Sequence, residues 1–478
     1  MVTFSPPELR RQLADALELW SNRIGGDLPE GIPLPEEWDE EGPEEAIGRD
    51  TCLELSLSHW EGSLEISCGE FLKLVGDFEE SLFVRAVGCI RPRHSLWRVT
   101  PVNPMAYRLM TSEVVVVEDN AHQQLLDDLV SVREKEAELS KTVDWDMRPP
   151  SAEQVGLRER LQEARREVSR VEALVERPTQ RRQLVELSND GRKVTVCLAS
   201  GFTLFALHVT EAELVEEYYP PVAGDEAFVE VACSHSLTEE EALSFVNGYI
   251  FELSATVGAE FVLSPRLEVD EDPYGEFCDE SSDPPKRLRP LAVGKGISEL
   301  LSIYNRAIGT SDDELRILCF TKVIEFVAQT AVRLQSTETI RGKLMSPRAI
   351  SPDAQFISEL ELLMEQQRAF KKDREAIRLA VSQCCDATEL ARHSPPFLKE
   401  FAVPNLAADP KSQGPALARF ADVLYSTRNA IAHAKANYTA TGDECPSGQI
   451  SQFTACAKVA AEQVIRWFEV VPEAHRVF

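Results

Sequence analysis

Leu315-Arg316-Ile317-Leu318-Cys319-Phe320-Thr321-Lys322-Val323-Ile324-Glu325-Phe326-Val327 is the stretch whose spacing decides the fold of the C-terminal part of this chain. Leu315, Leu318, Phe320, Val323, Ile324, Val327 and Ala331 recur at three- and four-residue intervals, which lays a broad apolar face along one side of a helix. The spacing predicts a helix over 312–335. Four more segments read the same way, at 297–308, 353–385, 414–437 and 450–470. Short connections between such helices favour antiparallel neighbours, so residues 291–478 are expected to form an all-α bundle.

Upstream of this bundle lies an acidic, proline-containing linker at 268–290. It is acidic over Glu268–Asp272 and Asp279–Asp283, carries Pro284-Pro285, and turns basic at Lys286, Arg287 and Arg289. Domain boundaries fall in such stretches. Residues 1–120 read as a mixed α/β domain. Pro7 opens a helix to about Arg23, and strands are expected at 53–57, 63–67, 83–89 and 114–117. Residues 121–180 read as a helical hairpin with a coiled-coil-like seam of Leu157, Leu161, Ala164, Val168, Val171 and Val175. Residues 181–267 read as a small α/β unit. It holds a hairpin of 193–198 with 202–209 around Gly201, a strand at 227–233, and a helix capped by Thr238 with Glu241 and ended by Gly258. A last strand covers 260–263. The fold class is therefore α+β and multidomain.

The 478 residues carry a formal charge of −30 and a hydrophobic fraction of 43%. A chain so acidic is repelled by bulk nucleic acid, so any nucleic-acid role needs a local basic groove. The 11 cysteines are odd in number and show no Cys-x-x-Cys pair, which points to reduced thiols in a cytoplasmic protein. The N-terminal helix is too charged for a signal peptide, and no run of about 18 apolar residues exists to span a membrane. No glycine-rich phosphate loop and no metal-ligand spacing is present, so neither cofactor nor metal is expected.

The chemistry-bearing motif is Arg428-Asn429-Ala430-Ile431-Ala432-His433. As a bare pattern it is weak, since a chain with eight histidines holds an arginine at such spacing about once by chance. Its context adds weight. It lies in the last third of the bundle, an amide follows the arginine, and small alanines flank it.

Arg428, Asn429 and His433 resemble the signature of the HEPN superfamily of RNA-cutting and RNA-binding helical bundles: an arginine, a polar residue, a short spacer and a histidine. The pattern from Leu300-Leu301-Ser302-Ile303-Tyr304 to Val323-Ile324-Glu325-Phe326 is similar to the opening helices of HEPN domains of the ApeA group of anti-phage proteins. The resemblance covers about 295–470. It implies a metal-independent endoribonuclease with catalytic Arg428, Asn429 and His433, 2′,3′-cyclic phosphate products and a role in bacterial anti-phage defence or toxin activity. It also implies a homodimer with a composite site. Helix geometry agrees with that implication, because residues five apart point about 140° from each other. Arg428 and His433 of one straight helix do not converge, whereas two copies facing each other line one groove.

In such a groove the histidine moves protons at the ribose 2′-hydroxyl and the leaving oxygen, and the arginine fork stabilises the phosphorane. RNA is required because DNA lacks the nucleophile. Lys435 and Tyr438, just past the motif, and Lys371 and Lys372, in a basic cluster with Arg368, Arg374 and Arg378, are candidate RNA contacts. The favoured reading of that cluster is a solvated face paired with Glu361, Glu365 and Glu375. His208 and His235 are read as strand or strand-end residues. Residues 1–290 are expected to sense or regulate, receiving a phage-derived or operon-encoded activator. Two other readings stay open: a non-catalytic HEPN module for dimerisation or RNA binding, and a scaffold assembled through the 157–175 seam.

Overall fold

The computed structural model describes residues 6–24, 52–56, 63–111, parts of 131–164, 179–189, 192–201, 203–212, 227–264, 288–369, 373–403, 406–432 and 442–477. The chain divides into two units. One comprises Met1–Thr100, Arg108–Ala242 and Leu263–Ser281; the other comprises Pro101–Tyr107, Leu243–Val262 and Ser282–Phe478. The anticipated class holds at the coarse level: a mixed α/β N-terminal part with an antiparallel sheet, and a helical C-terminal part.

The first unit is built on strands β1 (Cys52–Ser56), β2 (Ser63–Ser67), β3 (Leu82–Val84), β4 (Gly88–Arg91), β5 (His94–Pro101), β6 (Thr179–Asn189), β7 (Arg192–Gly201) and β8 (Ala227–Cys233). β1 and β2 form a hairpin of their own, and the main sheet runs β3-β4-β5-β8-β7-β6, with antiparallel neighbours throughout. The expected regions 1–120 and 181–267 thus contribute strands to one sheet, through the β5–β8 pairing of Leu96 with Glu230 and Trp97 with Val229. Sequence separation hid that pairing.

The Leu96, Phe228 and Ala199 face of the sheet packs against α1 (Pro6–Leu19) and α2 (Cys68–Glu79), with Trp20 and Phe71 in the same core. Ser67 caps α2 by accepting from the backbone N–H of Glu70 at 3.3 Å. The expected strand 83–89 is instead two strands, because Arg85 and Ala86 adopt left-handed backbone angles (φ 51° and 56°) and fold the chain into a hairpin. Gly88 follows this turn, where the Leu96 carbonyl and the Trp97 ring approach to 2.7 Å of any added Cβ.

The short helix α3 (Pro104–Thr111) follows β5. Residues 202–209 are not a strand: Leu204–Glu211 is helix α4. Every residue from Leu204 to Thr210 is buried, so the segment has no polar face and its periodicity carries no signal. β7 pairs with β6 instead. Helix α5 (Glu239–Glu252) starts with the anticipated capping box: Thr238 Oγ1 accepts from the Glu241 N–H at 3.2 Å, and Glu241 Oε2 accepts from the Thr238 N–H at 3.1 Å. Gly258 ends the following turn in the left-handed region (φ 81°), and β9 (Phe261–Leu263) follows. Described parts of 131–142 and 154–164 are helical, with Leu161 and Ala164 of the seam buried; Val168, Val171, Val175 and the run 114–117 lie outside the described residues.

The second unit is the helical part: α6 (Ile297–Ile308), α7 (Asp313–Leu344), α8 (Ala354–Ala369), α9 (Asp373–Cys384), α10 (Ala387–His393), α11 (Pro410–Ala432) and α12 (Ile450–Val470). Two of the expected helices, 297–308 and 450–470, have those bounds. The expected 353–385 is two helices, and the deciding helix runs past 335 to Leu344. Asp312 caps α7, accepting from the Glu314 and Leu315 N–H groups at 2.8 and 3.3 Å. The core is formed by Ile317, Phe320, Val323, Ile324, Val327 and Ala331 of α7 with Leu300, Leu301 and Tyr304 of α6, Ile377 and Val381 of α9, Phe420 and Leu424 of α11, and the Ala457, Ala460, Ala461 and Val464 stripe of α12. Each large aliphatic or aromatic group buried there stabilises by about 1.5–3 kcal/mol. Leu315, placed on the apolar face by its spacing, is instead half exposed in the first turn. Among the described residues, no helix is long and apolar enough to cross a membrane.

Candidate functional site

α11 carries the motif at its end. Buried Ala416, Phe420, Ala421, Val423 and Leu424 fasten the helix into the core, which leaves Arg428 and Asn429 partly exposed in its last turn. Thr427, on the buried side, accepts a hydrogen bond from the Cys445 backbone N–H at 2.8 Å, and this ties the end of α11 to the segment leading into α12. Arg428 Nη1 donates to Asn429 Oδ1 at 2.9 Å. Arg428 Nη2 lies 3.3 Å from Glu325 Oε1 on α7. Burial pushes the Glu325 carboxyl above its ordinary range; Arg428 pulls it down, and Asp373 at the start of α9 pushes it further up. The site thus brings together α7, α9 and α11.

Of the residues singled out from sequence, Arg428 and Asn429 stand together here. His433, Lys435, Tyr438, Lys371 and Lys372 lie outside the described residues. Arg374 and Arg378, from the expected basic cluster, have a different role from the one their sequence neighbours indicated. Arg378 does pair with Glu375, at 3.2 Å, but its main partner is Asp422 on α11, met by Nε at 2.6 Å and by Nη2 at 2.5 Å. Arg374 Nε donates to the same carboxylate at 2.8 Å. Burial pushes the Asp422 carboxyl up, and the bonds from Arg378 and Arg374 more than offset this and hold it below the ordinary range. The clasp fixes α9 against α11 just before the motif.

Two site residues escaped sequence reasoning. Asp422 gave no local sign, since its partners are on another helix. Glu325 did leave one: it is a carboxylate set among Ile324, Phe326 and Val327, on a helix whose neighbours are core residues.

Other buried polar clusters are held by hydrogen bonds of their own, with His94 Nδ1 left without one. In the second unit, Tyr304 Oη bonds Glu462 at 2.7 Å and Ser254 at 3.0 Å, while Lys458 reaches Glu260 at 2.5 Å. In the first unit, Glu230 receives His94 Nε2 at 2.6 Å and the Cys197 thiol at 3.5 Å. His208, expected in a strand, is buried in α4, and His235 follows β8 and bonds Ser234 at 2.9 Å. Among the described residues no group of three His, Cys, Asp or Glu side chains is placed to hold a metal ion, and the described cysteines are free thiols.

No family model, no curated protein and no solved structure matches this chain. The functional reading therefore rests on the residues of the site.

Proposed function

We propose that this chain is a metal-independent endoribonuclease whose active site is assembled across a homodimer from Arg428, Asn429 and His433 of each copy. The observation that carries this reading is the state of Arg428. Its guanidinium is partly exposed at the end of α11, braced by the neighbouring amide, and lacks the two-pronged carboxylate grip that fixes Arg378. An arginine so placed can exchange its one carboxylate contact for a phosphate, and its planar fork suits the two oxygens of a phosphodiester. His433 supplies the proton transfers, for which imidazole's titration range near neutral pH is suited. The substrate is tRNA or other single-stranded RNA, cut in anti-phage defence or toxin action, with residues 1–290 sensing a trigger.

The test is cleavage of a mixed tRNA and single-stranded RNA pool in EDTA, with wild type beside His433→Ala. Wild type is expected to cut and leave 2′,3′-cyclic phosphate ends, and the variant to be inactive. Cleavage that survives His433→Ala, or that stops in EDTA, would sink the reading.

A second reading has one observation in its favour. The Arg428–Glu325 ion pair is also what a purely structural arginine makes. In that case the bundle is a non-catalytic module for dimerisation or RNA binding, and Arg428→Ala and His433→Ala leave activity in cells unchanged.

A further inference from the structure

Arg428 is held unlike Arg378 and Arg466 of the same unit. Arg378 grips both oxygens of Asp422 at 2.6 and 2.5 Å. Arg466 reaches both oxygens of the fully buried Glu252, at 2.9 and 3.3 Å. Arg428 meets one oxygen of Glu325, at 3.3 Å, and that oxygen, shut away from solvent, completes no well-directed hydrogen bond. A half-buried carboxylate in this position has given up water and receives little in return. Its raised pKa reports the same imbalance, with burial as the main cause.

A carboxylate and the two free oxygens of a phosphodiester present the same pair of acceptors to a guanidinium. We propose that Glu325 is a resting-state occupant of Arg428, seated where an RNA phosphodiester is to be received, so that substrate binding must displace it. This rests on the ribonuclease reading of Arg428 and adds a regulatory element to it. Lys322, exposed one turn earlier on α7 and close enough to act on the Glu325 carboxyl, offers that carboxylate a second partner once it is released. Asn429 keeps the other end of the guanidinium in place during the exchange. The arrangement is a latch: one charge of the wrong sign for RNA, on the residue that must bind RNA, held by a single long contact.

The experiment measures binding of a short 2′-O-methyl oligoribonucleotide, which cannot be cleaved, alongside cleavage of the unmodified strand. Glu325→Gln keeps the shape and removes the charge; it is expected to bind on the order of tenfold tighter than wild type, the effect of about 1.4 kcal/mol. The gain is expected to vanish when Arg428→Ala is added. Glu325→Asp, which keeps the charge but draws it back by one methylene, is expected to show a smaller gain and serves if Glu325→Gln fails to fold. If Glu325→Gln or Glu325→Asp binds no more tightly than wild type while Arg428→Ala weakens binding, the latch is overturned and the ribonuclease site stands. If Arg428→Ala changes neither binding nor cleavage, both fall together. If none of the proteins binds the oligonucleotide, the latch is likewise overturned.

Discussion

Burial removes water from a charged group, and His208 registers the consequence most clearly. It sits on α4 between the rings of Phe78 and Phe83, with Ser81 Oγ 2.6 Å from its Nε2. Burial lowers its pKa from 6.5 to about 4; Glu211 works the other way, and Arg23 adds to the lowering. Between these two pH values the unfolded chain binds a proton that the folded chain refuses, so the contribution of His208 to stability is fully present above 6.5 and is lost as pH falls toward 4. The loss amounts to about 3 kcal/mol. Urea unfolding of wild type and His208→Gln at a series of pH values from 7 to 4 checks this: the wild-type curve is expected to fall more steeply with acid, and parallel curves would refute the assignment. Glu325 is the acidic counterpart, with burial raising its pKa. The same scale explains what was legible in the site. Arg428 and Asn429 are adjacent in sequence, so the pair is legible as a motif, but their hydrogen bond is not, because neighbouring residues on a helix do not face each other. Glu325 and Asp422 join the site through packing between helices, which a linear reading does not contain.

Helices with one polar and one apolar face announced themselves; of the elements buried along most of their length, β8 was legible at 227–233 but α4 and β5 were not. α6 and α12 carry clear apolar stripes, and their limits at 297–308 and 450–470 could be read directly. α4 is buried from Leu204 to Thr210 and apolar but for His208 and Thr210, so its short run read as a strand. β5 escaped because it is buried from Ser95 to Pro101 while carrying Arg98 and Ser95, and β6 because a register shift between Arg182 and Val185, with Gln183 at φ 52°, breaks its alternation. Between elements, the clasp of Arg374 and Arg378 on Asp422 is the clearest polar fastening of α9 to α11. Asp422 is mostly shielded, and both arginines are about a third exposed, so the clasp falls between the surface and buried limits for ion pairs. Asp422→Asn is expected to cost about 1–2 kcal/mol. A double-mutant cycle with Arg378→Ala, followed by chemical unfolding, should give a coupling of similar size; additive effects would mean that the clasp contributes nothing.

At the scale of the whole molecule, charge and symmetry act together. The chain bears −30, so its general surface repels RNA and any productive encounter must be confined to a groove where arginines gather. One copy has a single Arg428, and were the helix to continue straight, residues five apart would point about 140° from each other, so that Arg428 and His433 would not converge. In the proposed homodimer a twofold axis would remove both difficulties by bringing two copies of each residue to one groove, as a self-complementary interface does. This composite arrangement makes a prediction that no single-chain site shares. Arg428→Ala and His433→Ala are each expected to be inactive alone. Co-expressed so that they mix, they form heterodimers in which one copy keeps its arginine and the other its histidine. If each heterodimer restores one of two arginine–histidine sets, the recovered cleavage rate is on the order of half of wild type. The rate is measured on the heterodimer, isolated through its two different tags in series. Recovery places arginine and histidine in trans. If the pure heterodimer stays inactive, while wild type carrying the same tags is active, the two residues must act from one chain, and the composite site is wrong.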